Sequence, residues 1–164
     1  MYGSALELLE EERDAFRPYE ALAGLGDTEL TLATDPAGPG MGWSGRDLVA
    51  HIVGWLEIAL AVARELAVGE RSATFDGLDA LAAAAGDWDA WNAQLLERWR
   101  ALPMDEVRRR LAEVPGELRG TLTVVPERRW LKDAEMSRFF TGDTIDHYED
   151  HLTVLGAVLR GAGR

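Results

Sequence analysis

The chain has 164 residues, with 17 Lys and Arg against 29 Asp and Glu, and a formal net charge of −12 at pH 7. Its length predicts a single domain spanning residues 1–164, and its 47% hydrophobic content is typical of a globular protein rather than a disordered or fibrous one. The absence of cysteine excludes disulfides, thiolate zinc sites, iron–sulfur clusters and a catalytic thiol. Any metal site must therefore be built from imidazole, carboxylate or water.

The negative charge also limits the partners. Phosphate backbones and anionic membrane surfaces are bound mainly through Lys and Arg, so we expect neither a nucleic acid nor a membrane partner. The N-terminal segment has no basic region followed by an apolar one, which indicates no signal peptide. The most apolar stretch, Leu48–Ala63, contains His51 and Glu57 and is shorter than the roughly 20 apolar residues of a membrane span. The missing targeting signal predicts a cytoplasmic protein.

The first predicted helix begins near Ser4, because Ser4 and Glu7 have the spacing of a capping box. Pro18 is expected to bend or end it. The segment Gly24–Gly42 is rich in glycine and proline and has no sustained helical period. It is predicted to be a long connection.

The strongest helical pattern follows that connection. Ser44 and Asp47 form a second capping-box pattern, and Gly69 is the predicted end of the helix. Apolar residues between them recur every three or four positions, which predicts one buried face. They are Leu48, Ile52, Trp55, Ala59, Val62 and Leu66.

A third main helix is predicted to begin near Asp87, where acidic residues suit the positive end of the helix dipole, and to be interrupted at Pro103. A further helical piece covers Met104–Leu111. The stretch from Pro115 to Pro126 is predicted to be irregular, since two prolines and two glycines punctuate it and its short apolar run has no partner strand. The residues expected to point inward from the third helix are Trp88, Trp91, Leu95 and Trp99.

The last predicted helix begins between Ala134 and Gly142 and continues to Leu159, with Tyr148, Leu152, Leu155 and Leu159 on its buried face. Four long amphipathic helices without alternating strands predict an all-α fold. The expected architecture is an antiparallel four-helix bundle with a long connection between the first two helices.

The three histidines of the chain lie in its two most strongly periodic helices. His147 and His151 are four residues apart, so their imidazoles lie on one face of the last helix, about one turn apart. His51 lies beside the apolar stripe of the second helix. Because both stripes face the interior of a bundle, we expect the three imidazoles to converge on one point, where a single divalent ion satisfies them together.

Each histidine also has a simpler interpretation. Two histidines four residues apart on a helix arise often by chance and can be solvated, and a single histidine on an apolar helix is more often a core residue with a hydrogen-bond partner. The metal site is favoured because these are all the histidines that the chain contains.

Two segments carry the histidines, WSGRDLVAHIVGW at residues 43–55 and GDTIDHYEDH at residues 142–151. The first is similar to the motif that opens the second helix in the DinB-like superfamily of four-helix metalloproteins. The second is similar to the last-helix motif of that superfamily, particularly in its ClbS/DfsB branch. The resemblance covers nearly the whole chain in helix order and histidine spacing, and it extends to the N-terminal domain of mycothiol-dependent maleylpyruvate isomerases.

The resemblance implies a divalent metal held by His51, His147 and His151. Members of the superfamily include transferases and isomerases that use mycothiol or bacillithiol, and proteins that neutralise reactive natural products. Resembling proteins often pair through their helices, so the resemblance is compatible with a homodimer, although the sequence shows no decisive exposed patch. Despite the superfamily's name, DNA binding is not implied.

Three histidine ligands leave at least one coordination position open, which is typical of a catalytic zinc site. An open site lowers the pKa of a bound water or activates the thiolate of a low-molecular-weight thiol. Such a thiol has to come from outside, because the chain has no cysteine. Imidazole ligands suit Zn, Ni and Fe alike.

Asp143 and Tyr148 are the candidate catalytic residues. Asp143 precedes His147 by one turn, so it could orient the imidazole or hold a substrate proton, and its alternative role is stabilisation of the first helical turn. Asp47 precedes His51 in the same way, but its position after Ser44 favours helix capping. Tyr148 could donate a hydrogen bond to a substrate, with core packing as the alternative.

Two further residues are candidates for the substrate pocket. Trp55, one turn beyond His51, is the predicted wall beside the metal, and Asn92 on the third helix either orients a ligand or is exposed. The sequence thus predicts a metal-dependent transferase or hydrolase that activates water or a thiol for attack on a small electrophile. The alternative is a non-catalytic protein that binds or sequesters a small molecule through its metal.

Overall fold

The chain folds into helices and their connections. A computed structural model describes residues 2–164, and it contains no β-strand within that range, which confirms the predicted all-α fold. The α-helices in chain order are α1 (Ala5–Phe16), α2 (Asp27–Thr31), α3 (Gly45–Val68), α4 (Ala73–Asp76), α5 (Leu78–Ala85), α6 (Trp88–Arg100), α7 (Met104–Val124), α8 (Ala134–Thr141) and α9 (His147–Gly161). Short 3₁₀ helices cover Arg17–Gly24 and Glu127–Arg129, and a π-helical turn, Gly142–Asp146, joins α8 to α9.

Helix α3 is the centre of the packing. It lies against α6, α7 and α9, with its most extensive contact on α7, and α1 packs against α7 and α9 on the far side. Because α3 is surrounded, all of its residues from Asp47 to Gly54 are buried, including the polar His51. No helix among residues 2–164 combines the length and hydropathy needed to cross a bilayer.

The start of α3 is fixed by a capping box that the sequence predicts correctly. The Ser44 hydroxyl accepts a hydrogen bond from the Asp47 backbone N–H, and the Asp47 carboxylate accepts one from the Ser44 backbone N–H at 3.0 Å. The other Asp47 oxygen accepts from Arg100 Nε at 2.9 Å. Burial by itself raises the pKa of Asp47, but the bonds from Arg100 and Ser44 lower it overall. Asp47 therefore caps α3 and ties it to α6.

We expect Asp47→Ala to lower the free energy of unfolding by about 1–3 kcal/mol, because it removes the cap and leaves Arg100 without its buried partner. Denaturant unfolding at neutral pH measures the change. Asp89→Ala, which removes an exposed carboxylate from the first turn of α6, is the control and should change stability by less than about 0.5 kcal/mol. Equal effects of the two substitutions would contradict the role given to Asp47.

The prediction that the chain is irregular from Pro115 to Pro126 is wrong for most of that segment. Helix α7 continues through Pro115 to Val124. A proline in a helix interior removes one backbone hydrogen bond, but here the helix buries an apolar residue every three or four positions on both sides of it. Those residues are Val107, Leu111, Val114, Leu118 and Leu122. Packing against α3 therefore outweighs the local signals of proline and glycine.

The predicted long connection between the first two main helices is partly helical. It contains the end of the first 3₁₀ helix and all of α2. Its last part is a tight loop in which Thr34 donates hydrogen bonds to the Trp43 carbonyl from both its backbone N–H and its hydroxyl. Gly40 is needed there, because a Cβ would lie 2.3 Å from the Thr34 hydroxyl oxygen. The loop thus fixes Trp43 directly before α3.

The last helical segment begins at Ala134, within the predicted window, but the π-helical turn interrupts it immediately before His147. Leu152, expected in the core, is 43% exposed, and Val154 and Val158 are buried instead. Trp88 of α6, also expected to point inward, is 36% exposed. π-Helical turns insert an extra residue into a helix and occur frequently at functional sites. This turn contains Asp143 and ends directly before His147.

Candidate metal centre

The three histidines meet at one place between α3 and α9. His51 lies in the interior of α3, His147 is the first residue of α9, and His151 follows one turn later. One ring nitrogen of each residue lies within 4.8 Å of those of the other two. The ring centroids are 4.6–4.8 Å apart in all three pairs. The convergence predicted from the sequence is therefore present.

The ring nitrogens are poorly supplied with hydrogen-bond partners. His51 Nε2 and His147 Nε2 are 2.9 Å apart and share one hydrogen bond. The Nδ1 atoms of all three rings are buried, and within residues 2–164 they have no partner. A buried polar atom without a partner costs about 1–3 kcal/mol, so such a cluster calls for a ligand or ordered water.

The environment keeps the imidazoles neutral. Burial, reinforced by the neighbouring histidines, lowers the pKa of His51 to about 3. Burial and His151 together lower the pKa of His147 to about 4, against smaller opposing effects of Asp150 and of the Asp143 backbone. Burial also lowers the pKa of His151. Neutral imidazole is the form that coordinates metals, so the cluster is in its ligating state at pH 7.

The cluster fits a divalent transition metal by its donor chemistry. Zinc binds histidine nitrogen at about 2.0–2.1 Å in tetrahedral geometry, so two ligand nitrogens on one ion lie about 3.3 Å apart. The Nε2 atoms of His51 and His147, 2.9 Å apart, have to separate slightly, and the widest separation of 4.8 Å has to close, which requires side-chain adjustment by the half-buried His147 and His151. The three histidines can therefore serve as ligands to one ion.

Trp43 forms one wall of the site, a role that sequence reasoning misses. Its ring stacks on His151 with centroids 5.7 Å apart and planes 22° apart, and it lies 5.0 Å from His51. The only local signal is its position directly before the Ser44 cap, which places it at the start of α3. Its orientation depends on the loop that Thr34 closes.

Trp55 and Asn92, the two candidate pocket residues, lie beside the histidines. Both line a cavity of about 330 Å³ that also includes His51 and His147. The Trp55 indole Nε1 donates a hydrogen bond to Asn92 Oδ1 at 2.9 Å, which fixes the amide orientation. The Asn92 amide nitrogen has no hydrogen bond within residues 2–164, so it can donate to a bound molecule. The structure thus brings both residues to the candidate site.

Asp143 lines the same cavity from the π-helical turn. Its Oδ2 atom is buried and has no hydrogen-bond partner within residues 2–164. Burial raises its pKa from 3.8 to about 7. The structure therefore places a carboxyl group that can carry a proton at neutral pH next to the histidine cluster.

This pKa predicts a pH-dependent effect of Asp143→Asn on the metal-free protein. Between pH 3.8 and about 7 the folded state retains a proton that the unfolded chain has lost, so the contribution of Asp143 to stability falls as the pH rises. The asparagine variant has no titratable group at this position, so its stability does not fall with pH for this reason. It should unfold with a free energy on the order of 2–4 kcal/mol higher than the parent at about pH 8, while the two converge near pH 4. Denaturant unfolding across this range tests it, and parallel pH profiles would contradict it.

Tyr148 is not brought to the cluster. Its side chain is fully buried, and its hydroxyl donates a hydrogen bond to Glu12 Oε1 at 2.8 Å. Its ring packs edge-on against Phe16, and the hydroxyl of Tyr19 donates to its backbone carbonyl. The alternative role in core packing therefore describes Tyr148 better than hydrogen bonding to a substrate.

Comparisons with known proteins add no relative. No protein-family model, no curated protein sequence and no solved structure matches the chain. The functional argument therefore depends on the residues of the site.

Proposed function

We propose that this chain is a DinB-like metalloprotein in which His51, His147 and His151 hold one divalent transition metal ion. The two motifs at residues 43–55 and 142–151 support this, since they carry all three ligands. We also propose a four-helix bundle made of α1, α3, α7 and the α8–α9 segment. In this arrangement α7, rather than α6, takes the third position, because α7 makes the largest contact with α3.

The observation that carries the proposal is the convergence of three neutral imidazoles from two helices. A core with no metal to bind gains nothing from bringing together three polar rings whose converging nitrogens share a single hydrogen bond. One bound ion reverses that balance, because the free energy of binding adds to the stability of the folded protein.

A divalent ion bound there would supply Lewis acidity that lowers the pKa of a water or of an external low-molecular-weight thiol. The residues of the chain would do the remaining work. Trp43 and Trp55 flank the histidines and provide apolar surface for a substrate. Asn92 donates a hydrogen bond from its free amide nitrogen, and Asp143 holds or accepts a proton at its unpaired Oδ2.

These groups suit attack by water or thiol on a small electrophilic substrate, which makes the protein a hydrolase or a thiol S-transferase. A second function is favoured by the aromatic walls. Trp55 and Trp88 contact each other at 5.3 Å and both line the cavity, so it could retain an apolar molecule without converting it. The protein would then sequester its ligand, with the metal as an anchor.

Turnover of small epoxides and aryl halides by the zinc-, nickel- or iron-loaded protein, with and without added mercaptoethanol, separates these functions. Product without thiol identifies a hydrolase, and product only with thiol identifies a transferase. Stoichiometric uptake without product identifies a binding protein.

For an enzyme, Asp143→Asn should lower kcat by about 100-fold or more, as expected for loss of an acid–base group. Asp146→Asn, which changes an exposed carboxylate of the same turn, is the matched control.

The catalytic proposal fails if product forms equally fast with the parent protein and with His147→Ala. The binding proposal fails if neither protein takes up any of the compounds. Equal activity of Asp143→Asn and Asp146→Asn would leave the metal site in place and remove Asp143 from the mechanism.

A further inference from the structure

A second and larger cavity lies between α3, α6 and the beginning of α7. Its volume is about 450 Å³, compared with about 330 Å³ for the cavity at the histidines. Apolar and aromatic side chains make up most of its wall, and two arginines and one glutamate line it as well. We call it the tryptophan groove, and the residues that matter below are Glu57, Trp91, Arg98, Trp99 and Arg110.

The two arginines of the tryptophan groove lie over its two indole rings. The Arg98 guanidinium is 5.5 Å from the Trp91 ring centroid, and the Arg110 guanidinium is 5.2 Å from the Trp99 ring centroid. Such cation–π contacts hold the guanidinium planes against the aromatic wall. Both cations therefore lie at the groove, with Arg110 half-buried and Arg98 exposed.

The arginines differ in their charge partners. Arg110 donates hydrogen bonds to Glu57 at 3.1 Å and to Glu106 at 2.7 Å, so its charge is neutralised. Arg98 has neither a hydrogen bond nor a salt bridge within residues 2–164. This is notable in a chain of net charge −12, where carboxylates are in excess. The groove thus combines an apolar aromatic wall with one uncompensated positive charge.

We propose that the tryptophan groove binds a small organic carboxylate with a planar apolar body. The body would pack against the half-buried aliphatic side chains of the wall, such as Ile58 and Leu102, while the carboxylate would accept hydrogen bonds from Arg98. Guanidinium groups recognise carboxylates through paired N–H donors, and ligand sites of this kind are mostly apolar with a few polar groups that fix orientation. Glu57 does not oppose the ligand, because Arg110 neutralises it.

This groove is distinct from the histidine site but lies next to it. The Trp55 ring is 5.0 Å from Trp91 on the groove side and 6.4 Å from His147 on the metal side. None of the three histidines lines the groove. Binding of the carboxylate therefore does not depend on the proposed metal, and the two proposals can fail separately.

Calorimetric titration of the metal-stripped protein with naphthoate, and with naphthalenemethanol as its uncharged analogue, tests the proposal. We expect naphthoate to bind at least about 5-fold more tightly than the alcohol, because only the anion pairs with Arg98. Arg98→Gln should weaken naphthoate binding by about 5- to 10-fold and leave binding of the alcohol unchanged. Arg98→Lys should retain part of the preference, since it keeps the charge but loses the paired donors.

Arg160→Gln is the matched control, because Arg160 is an exposed helical arginine that also lacks a carboxylate partner among residues 2–164 but lies on α9, outside the groove. It should bind naphthoate as the parent does, and so should His147→Ala. No binding of naphthoate, equal affinity for the anion and the alcohol, or equal effects of Arg98→Gln and Arg160→Gln would each overturn the proposal. Loss of binding in His147→Ala would place the ligand at the histidines and overturn it as well.

Discussion

Replacing His147 by alanine is expected to weaken the binding of Zn²⁺ by about 100-fold or more. Substituting a residue that only hydrogen-bonds to a metal ligand typically weakens metal binding by about 10- to 100-fold, and loss of one of three ligands has a larger effect. His147 is also the residue whose Nε2 lies 2.9 Å from that of His51. Its loss therefore leaves two imidazoles that no longer surround a common point.

Competition with a fluorescent zinc chelator measures this affinity for the parent and for each histidine variant. Glu149→Gln is the control, because it changes an exposed side chain of the same first turn of α9. His51→Ala and His151→Ala should resemble His147→Ala, whereas Glu149→Gln should bind like the parent. Retention of full affinity in any one histidine variant would remove that residue from the ligand set.

Replacing Glu12 by alanine is expected to lower the free energy of unfolding by about 3–5 kcal/mol, which is the usual effect of removing one partner of a buried ion pair. Glu12 is 2% exposed and accepts hydrogen bonds from Arg119 and from the Tyr148 hydroxyl, each at 2.8 Å. The variant leaves the Arg119 charge and the Tyr148 hydroxyl without partners inside the protein. It also loosens the contact between α1 and the first turn of α9.

Two further variants separate the effect of charge from the effect of packing among Glu12, Arg119 and Tyr148. Glu12→Leu combined with Arg119→Met removes both charges, and such a change is often neutral or stabilising when volume is retained. Tyr148→Phe removes one hydrogen bond and should cost about 1 kcal/mol. Glu10→Ala, on the exposed side of α1, is the control, with an expected change below about 0.5 kcal/mol. A Glu12→Ala variant as stable as this control would contradict the account of the pair.

The parts that could be predicted from the sequence are those with local causes. The start of α3 follows from Ser44 and Asp47, whose side chains satisfy backbone groups within one turn. The meeting of the histidines follows from helical spacing, because residues four apart share a face and the apolar stripes orient the two helices toward each other. The same periodicity predicts the position of Trp55, one turn beyond His51 on α3.

The rest depends on contacts between distant parts of the chain. Pro115 indicates a break, and only the packing of α7 on α3 shows that the helix continues through it. The Tyr148 hydroxyl is directed by Glu12, which is 136 residues away in the sequence. Trp43 stacks on His151 because a loop closure at Thr34 fixes its backbone. Neither single-residue preferences nor periodicity encode such partners.

The measurement that tests the metal site most directly is elemental analysis of the purified protein alongside His147→Ala, both prepared without chelator. We expect about one equivalent of a single transition metal in the parent protein and a large reduction in the variant, because the folded site binds the ion and the variant lacks a ligand. Less than about half an equivalent of any transition metal in the parent, with no change in His147→Ala, would contradict the proposed metal site.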